Sequence, residues 1–252
     1  MTKIRYSMFL FFVLSIILLH GGTTLGATFP VSTTQEFRQA LLDAAGNGQA
    51  DTIILADGTY KTTDDGAGAF TFSDNDTHAL TIQGSSPENV ILSGEDTDRV
   101  LSFTSTTSTA TIHLVNLSIV KGSSDTNGGG IYAGNLYSVN VTNCILSGNV
   151  AGSYGGGFYG IGPLTVTNSS LTGNTAGSRG GGFYGGGLLT LLESTITGNT
   201  AGTSGGGFYT LQSPSGAKSA AVTNCVISGN TAGEDGGGFY AGGSSTRTTA
   251  LT

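Results

Sequence analysis

The chain has no tryptophan, two cysteines, four prolines and two methionines, and only 10% of its 252 residues are charged. Each shortage excludes something. Nine basic side chains against sixteen acidic ones, a net charge of −7, argue against a nucleic-acid binder, which needs a basic surface. Scarce charge together with 37% hydrophobic residues argues against disorder. A strict Gly-X-Y triplet is also missing, so the 43 glycines do not belong to a collagen helix. Two cysteines allow at most one disulfide. After the first 27 residues, no stretch is long and apolar enough to span a membrane as a helix, which takes about 20 residues.

What is present begins with a leader. Lys3 and Arg5 precede an apolar run from Met8 to Leu19, which Gly21 and Gly22 end. That pattern predicts a secretory signal peptide over residues 1–27, cleaved after Gly26 or Ala27. The alternative, an uncleaved anchor, needs a longer run. Export places the mature chain outside the cell, where disulfides are permitted.

Internal repeats dominate the remainder. Four segments align: NCILSGNVAGSYGGGFY from Asn143, NSSLTGNTAGSRGGGFY from Asn168, ESTITGNTAGTSGGGFY from Glu193 and NCVISGNTAGEDGGGFY from Asn224. A degenerate copy starts at Asn116 and ends at Tyr132. Helical repeats run longer, and several glycines per unit would melt their helices. The leucine-rich pattern is absent. Within each unit, Ile119, Leu146, Leu171, Ile196 and Ile227 form an aliphatic column flanked mostly by Ser and Thr, the period-2 alternation of a strand. A second strand precedes each (Val139/Val141, Leu164/Val166, Leu189/Leu191, Ala221 or Val222), and the GGGFY run supplies a third. The expected fold is all-β: a right-handed parallel β-helix of about eight or nine coils at 25 residues each.

Stacked coils turn sequence columns into ladders. Asn149, Asn174, Asn199 and Asn230 form one, predicted as a structural amide ladder hydrogen-bonded from coil to coil. Asn116, Asn143, Asn168, Glu193 and Asn224 form another. Cys144 and Cys225 share a column but lie three coils apart, about 14 Å at the strand spacing. A disulfide needs Cα atoms within about 7 Å, so two free, inward thiols are expected. In the GGGFY strand the Phe column faces in, and Tyr132, Tyr159, Tyr184, Tyr209 and Tyr240 face out. Outward rings could form an amphipathic platform for a glycan or protein, or simply stack and stiffen the solenoid.

Residues 28–115 are less regular. Thr33 and Glu36 spell a capping box, so Thr33 to Gly46 is read as a helix with Phe37, Leu41 and Ala44 on one face, capping the first coil. Strands are expected at Thr52–Leu55, Leu80–Ile82, Val90–Leu92, Val100–Phe103 and Thr111–Val115. Residues 116–252 carry the regular coils. They end without a matching cap, the pattern expected of a fragment of a longer chain. Pro214 and Gly216 mark a loop excursion in the last interval.

The repeat units resemble those of polymorphic outer-membrane proteins, which carry F-x-x-N followed by G-G-A-I. Here Leu146, Leu171, Ile196 and Ile227 stand for the Phe, and the tetrapeptide is G-G-G-F. The segment from Leu55 to Tyr60, LADGTY, with the helix and strand before it, resembles the opening coil of pectin-lyase-like β-helix proteins. The first resemblance implies an exported, surface-displayed passenger, secreted or at the outer membrane, with a non-catalytic adhesive or structural role. Its partner would be a glycan or protein on a host or neighbouring cell. The second implies the alternative, a polysaccharide lyase or glycoside hydrolase, for which lyases of this fold would point to calcium-assisted acids with an Arg or Lys base.

The acids give that alternative little support. Hydrolases need two carboxylates across one sugar bond. From residue 126 on, the only acids are Glu193, Glu234 and Asp235 and the only bases Arg179, Lys218 and Arg247. Eleven acids cluster between Asp43 and Asp98. Asp64–Asp65, Asp74/Asp76 and Asp96/Asp98 supply oxygens that suit calcium, but no loop has the known calcium spacing. His78 and His113 are far apart, without partners at zinc-ligand spacing. No catalytic residue, metal site or cofactor is therefore expected, calcium being the one ion left open. Asn75, Asn116, Asn140 and Asn168 lie in glycosylation sequons.

Overall fold

A computed structural model describes residues 26–74, 77–105, 109–134, 137–211 and 220–242. The apolar run Met8–Leu19 on which the signal-peptide expectation rests, Asn75, Asp76, the Pro214–Gly216 segment, Lys218 and Arg247 lie outside the described residues. The rest is a parallel β-solenoid with one short helix near its start.

Three long sheets run the length of the stack, and a short one joins them from Ser123 on. The first holds eight strands, from Thr28–Val31 and Asp51–Leu55 to Ala220–Thr223. The second holds seven, from Gly58–Lys61 to Val226–Ser228, and the third seven, from Phe70–Ser73 to Phe239–Gly242. Neighbouring strands are parallel and in register: Leu146 pairs with Leu171, Leu171 with Ile196 and Ile196 with Ile227. Each sheet therefore contributes one inward column per alternate residue. The aliphatic column of the repeats is buried throughout its first four coils, Ile119, Leu146, Leu171 and Ile196. Each such side chain contributes about 1.5–3 kcal/mol by burial.

Two expectations need correction. The described residues form seven coils, not eight or nine. The even division by 25 failed because the early coils are longer: Ile53 pairs with Ile82 and Ile82 with Leu114. Residues before Asp51 form a strand and the helix instead of a coil. The later coils also have four strands, not three. Val150–Ala151, Thr175–Ala176, Thr200–Ala201 and Thr231–Ala232 join Ser123–Ser124 in a five-stranded fourth sheet. Two-residue strands carry too little alternation to be read from sequence. The strands Gly58–Lys61 and Phe70–Ser73 were likewise not foreseen.

The helix spans Thr34–Gly46, with Thr33 as N-cap and the reciprocal Thr33–Glu36 bonds in place. Glu36 Oε2 accepts from the Ser32 and Thr33 amides and the Ser32 hydroxyl. These bonds, the Ser32 amide foremost, hold its carboxyl below the usual range. Phe37, Ala40, Leu41 and Ala44 are buried, and the Phe37 ring lies 4.8 Å from that of Phe70. Arg38 donates to the Thr62, Gly68 and Ala69 carbonyls and pairs with Asp65 at 2.6 Å. The helix thus covers the apolar end of the first coil, as expected of a cap.

The two asparagine columns have different tasks. Asn116, Asn143, Asn168, Glu193 and Asn224 turn the chain between the first and second sheets with φ between 47° and 57°. Asn visits this left-handed region at lower cost than most residues. Asn143 Nδ2 donates to Asn116 Oδ1 at 2.7 Å and Asn168 Nδ2 to Asn143 Oδ1 at 3.3 Å. Glu193 has no amide to continue the pattern.

Candidate functional site

The buried ladder consists of Asn149, Asn174, Asn199 and Asn230. Asn174 Oδ1 accepts from both the backbone amide and Nδ2 of Asn149, at 3.1 and 2.9 Å. Asn199 does the same for Asn174, and Asn230 for Asn199. Each Nδ2 also donates to a carbonyl one coil back, Ile119, Leu146, Leu171 and Ile196 in turn. The first three amides are fully enclosed, and this bonding removes the cost of burying them. Gly122 occupies the equivalent place one coil earlier and donates its amide to Asn149 Oδ1 at 2.8 Å.

Beside this ladder the glycine run brings neighbouring coils close. A Cβ on Gly182 would lie 2.5 Å from the Gly207 carbonyl oxygen, so the approach requires glycine. The strand that follows places Phe158, Phe183 and Phe208 inside, with rings of Phe183, Phe208 and Phe239 stacked at 4.8 and 5.1 Å.

The tyrosines alternate to the outer side and stack continuously. Successive ring centroids from Tyr132 through Tyr159, Tyr184 and Tyr209 to Tyr240 are 5.4, 5.4, 5.2 and 5.3 Å apart. The ring planes face along the solenoid axis, toward one another. The two central rings keep only 6% and 5% of their surface, at Tyr184 and Tyr209. Tyr132, Tyr159 and Tyr240 are half-buried. The ladder is thus open at particular rings instead of along its whole length.

Residues outside the column do the covering. Tyr154 stacks on Tyr184 at 4.9 Å, and the Arg179 guanidinium sits 5.1 Å from the Tyr209 ring centre. Arg99 lies over Tyr132 at 4.8 Å, held by the Asn127 and Gly128 carbonyls and the Ser124 hydroxyl. Burial pushes the Tyr159 phenol up and the Tyr184 phenol up to about 12. Sequence reasoning missed these three partners. A usable signal existed: Tyr154, Arg179, Ser204 and Asp235 pair as one column, the variable position just before the invariant glycines.

The acids are spread among separate structural bonds. Asp64 accepts from the Thr34 hydroxyl, Asp98 from Thr62 and Thr97, and Glu95 from Ser93 and Lys61. Asp57 accepts from Ser85 and Asn89. Among the described residues, no group of three or more His, Cys, Asp or Glu could hold a metal ion. His113 faces Asn140 at 3.3 Å. Also among the described residues, no helix is long and apolar enough to cross a membrane.

Both cysteines are free, Cys144 buried and Cys225 half-buried. Ser169 and Ser194 fill the column between them and cap the amides of Cys144 and Ser169. Burial raises the Cys144 thiol to about 12, which suppresses its reactive thiolate. With a thiol reagent at pH 8, one cysteine per chain is expected to react in the native state and the second only on unfolding. Equal rates for both would contradict the enclosed position of Cys144.

No family model, curated protein or solved structure matches the chain.

Proposed function

We propose that the chain is an exported, surface-displayed β-solenoid that acts by adhesion and as a rigid spacer, without catalysis. The observation that carries this reading is the continuous tyrosine stack, partly open at Tyr132 and Tyr159, with guanidinium contacts at Tyr132 and Tyr209. Aromatic rings with polar tips suit contact with a glycan or protein at an interface. The repeat's resemblance to polymorphic outer-membrane proteins and the leader support display at the cell surface or outer membrane. The contact would centre on Tyr132 and Tyr159, which retain open surface.

The test is binding of the labelled chain to cells and to immobilised glycans and proteins. Tyr132→Ala combined with Tyr159→Ala is expected to cut binding at least tenfold while the far-UV spectrum stays that of a β-solenoid. Unchanged binding by the folded double variant would remove the ladder from the adhesive surface. New reducing ends or unsaturated products released from polysaccharides would overturn the non-catalytic reading in favour of a lyase or hydrolase.

A further inference from the structure

One acid sits where the fold otherwise places aliphatic side chains. Along the inner side of the first sheet, Asp51 heads a column continued by Leu80, Ile112, Val139, Leu164, Leu189 and Ala220. Those from Leu80 to Leu189 are buried, and so is Asp51, at 3% exposure. A carboxylate in such a place is costly unless it is paired and hydrogen-bonded. Asp51 Oδ1 accepts from the backbone nitrogen of Ala27 at 2.8 Å.

Ala27 is tied down on its other side as well. Its carbonyl accepts from the Thr52 amide at 2.9 Å, and Thr28–Val31 then pairs residue for residue with Thr52–Leu55. One residue earlier, Gly26 runs so close to the Ala50 carbonyl that a Cβ would overlap its oxygen. The leader pattern allows a cut after Gly26 or after Ala27. A cut after Ala27 puts Leu25 at the third place before it, where the cleavage pattern calls for a small residue. It would also remove both Ala27 contacts. A cut after Gly26 puts the smaller Thr24 at that place and keeps both contacts.

We infer that the leader is cut between Gly26 and Ala27, and that Asp51 receives the N-terminus so made. A signal peptidase adds water across the Gly26–Ala27 bond. The leader departs with the Gly26 carboxylate, and the Ala27 nitrogen takes up protons to become an α-ammonium beside Asp51. Such an amine has an ordinary pKa of about 7.7–8.0 and is charged at neutral pH. A neutral amide contact thus becomes a buried ion pair, which pins the first strand, a chain end that would otherwise fray. With the leader attached, Asp51 meets only an amide at this place, so the unprocessed chain is the less stable form. Processing therefore completes the fold at the helix-capped end. This inference rests on the leader and not on the adhesive reading, and the two fail separately.

The full chain is expressed with its own leader in a bacterial host, and the exported product is read by intact mass. Ala27 is expected as its first residue. A product that starts at Thr28, or that keeps Gly26, would overturn the inference. On the processed chain, an amine-acylating ester at pH 7 is expected to label the α-amine at least tenfold more slowly in buffer than in unfolding urea, with lysines told apart by peptide mapping. Equal rates would overturn the pairing with Asp51. Asp51→Asn is expected to lower the melting temperature by about 4 °C or more, and so is acetylation of the Ala27 amine. The two together should cost no more than the larger single change, because they break the same contact. Additive losses would show that Asp51 and the N-terminus act apart. Should Asp51→Asn fail to fold, the acetylated chain decides: an unshifted melting temperature there overturns the inference, and a drop with a slow labelling rate supports it.

Discussion

Asn174→Ala is expected to destabilise the solenoid by about 3–5 kcal/mol, the sum of several lost bonds and a stranded buried amide. Asn174 is fully enclosed. Its oxygen accepts from the Asn149 backbone amide and side chain, and its nitrogen donates to Leu146 and Asn199. Alanine removes all four bonds and leaves the Asn149 amide facing a space with no acceptor. A net hydrogen bond is worth about 1 kcal/mol, and an unsatisfied buried group costs about 1–3. Urea unfolding followed by far-UV circular dichroism measures the loss. The neighbouring Thr175→Ala, on a half-exposed position, supplies the comparison and should stay within about 0.5 kcal/mol. A change that small at Asn174 would mean that the ladder contributes register without stability.

Phe208→Ala is expected to cost about 3–5 kcal/mol, the usual range for emptying an aromatic core site. Phe208 is 1% exposed and stacks between Phe183 at 4.8 Å and Phe239 at 5.1 Å. Neighbouring coils cannot collapse into the gap, because their backbones are already in contact through the glycine run. In a repeat protein such a loss falls first on the coils next to the change. The transition should therefore broaden or split, with the helix-capped end melting last. Phe208→Leu, which keeps much of the volume, should recover most of the loss.

The regular coils were legible because every unit repeats the same alternation, so one correct register fixes all of them. Inward Leu146, Leu171 and Ile196 and the free cysteines followed from that register alone. The cap was legible because Thr33 and Glu36 encode their bonds locally. Coil count was less so, since the early coils have unequal lengths and no shared motif. The asparagine columns were recognised, but their division of work was not. Which one takes the left-handed turn and which one is buried depends on φ, and a pattern of identities does not contain φ. At the tyrosine column, direction could be read from alternation. The shielding of Tyr184 and Tyr209 could not, because Tyr154 and Arg179 reach each ring from the preceding coil.

Equal pairing of Leu164 with Leu189 and of Asn149 with Asn174, each a constant 25 positions apart, also bears on inheritance. Removing or duplicating one such unit rejoins every ladder to its counterpart, with no strained junction. Unequal recombination between the near-identical copies would then yield proteins that differ only in height, by about 4.8 Å per unit. How far the molecule reaches from whatever holds it becomes a quantity that copy number alone can adjust.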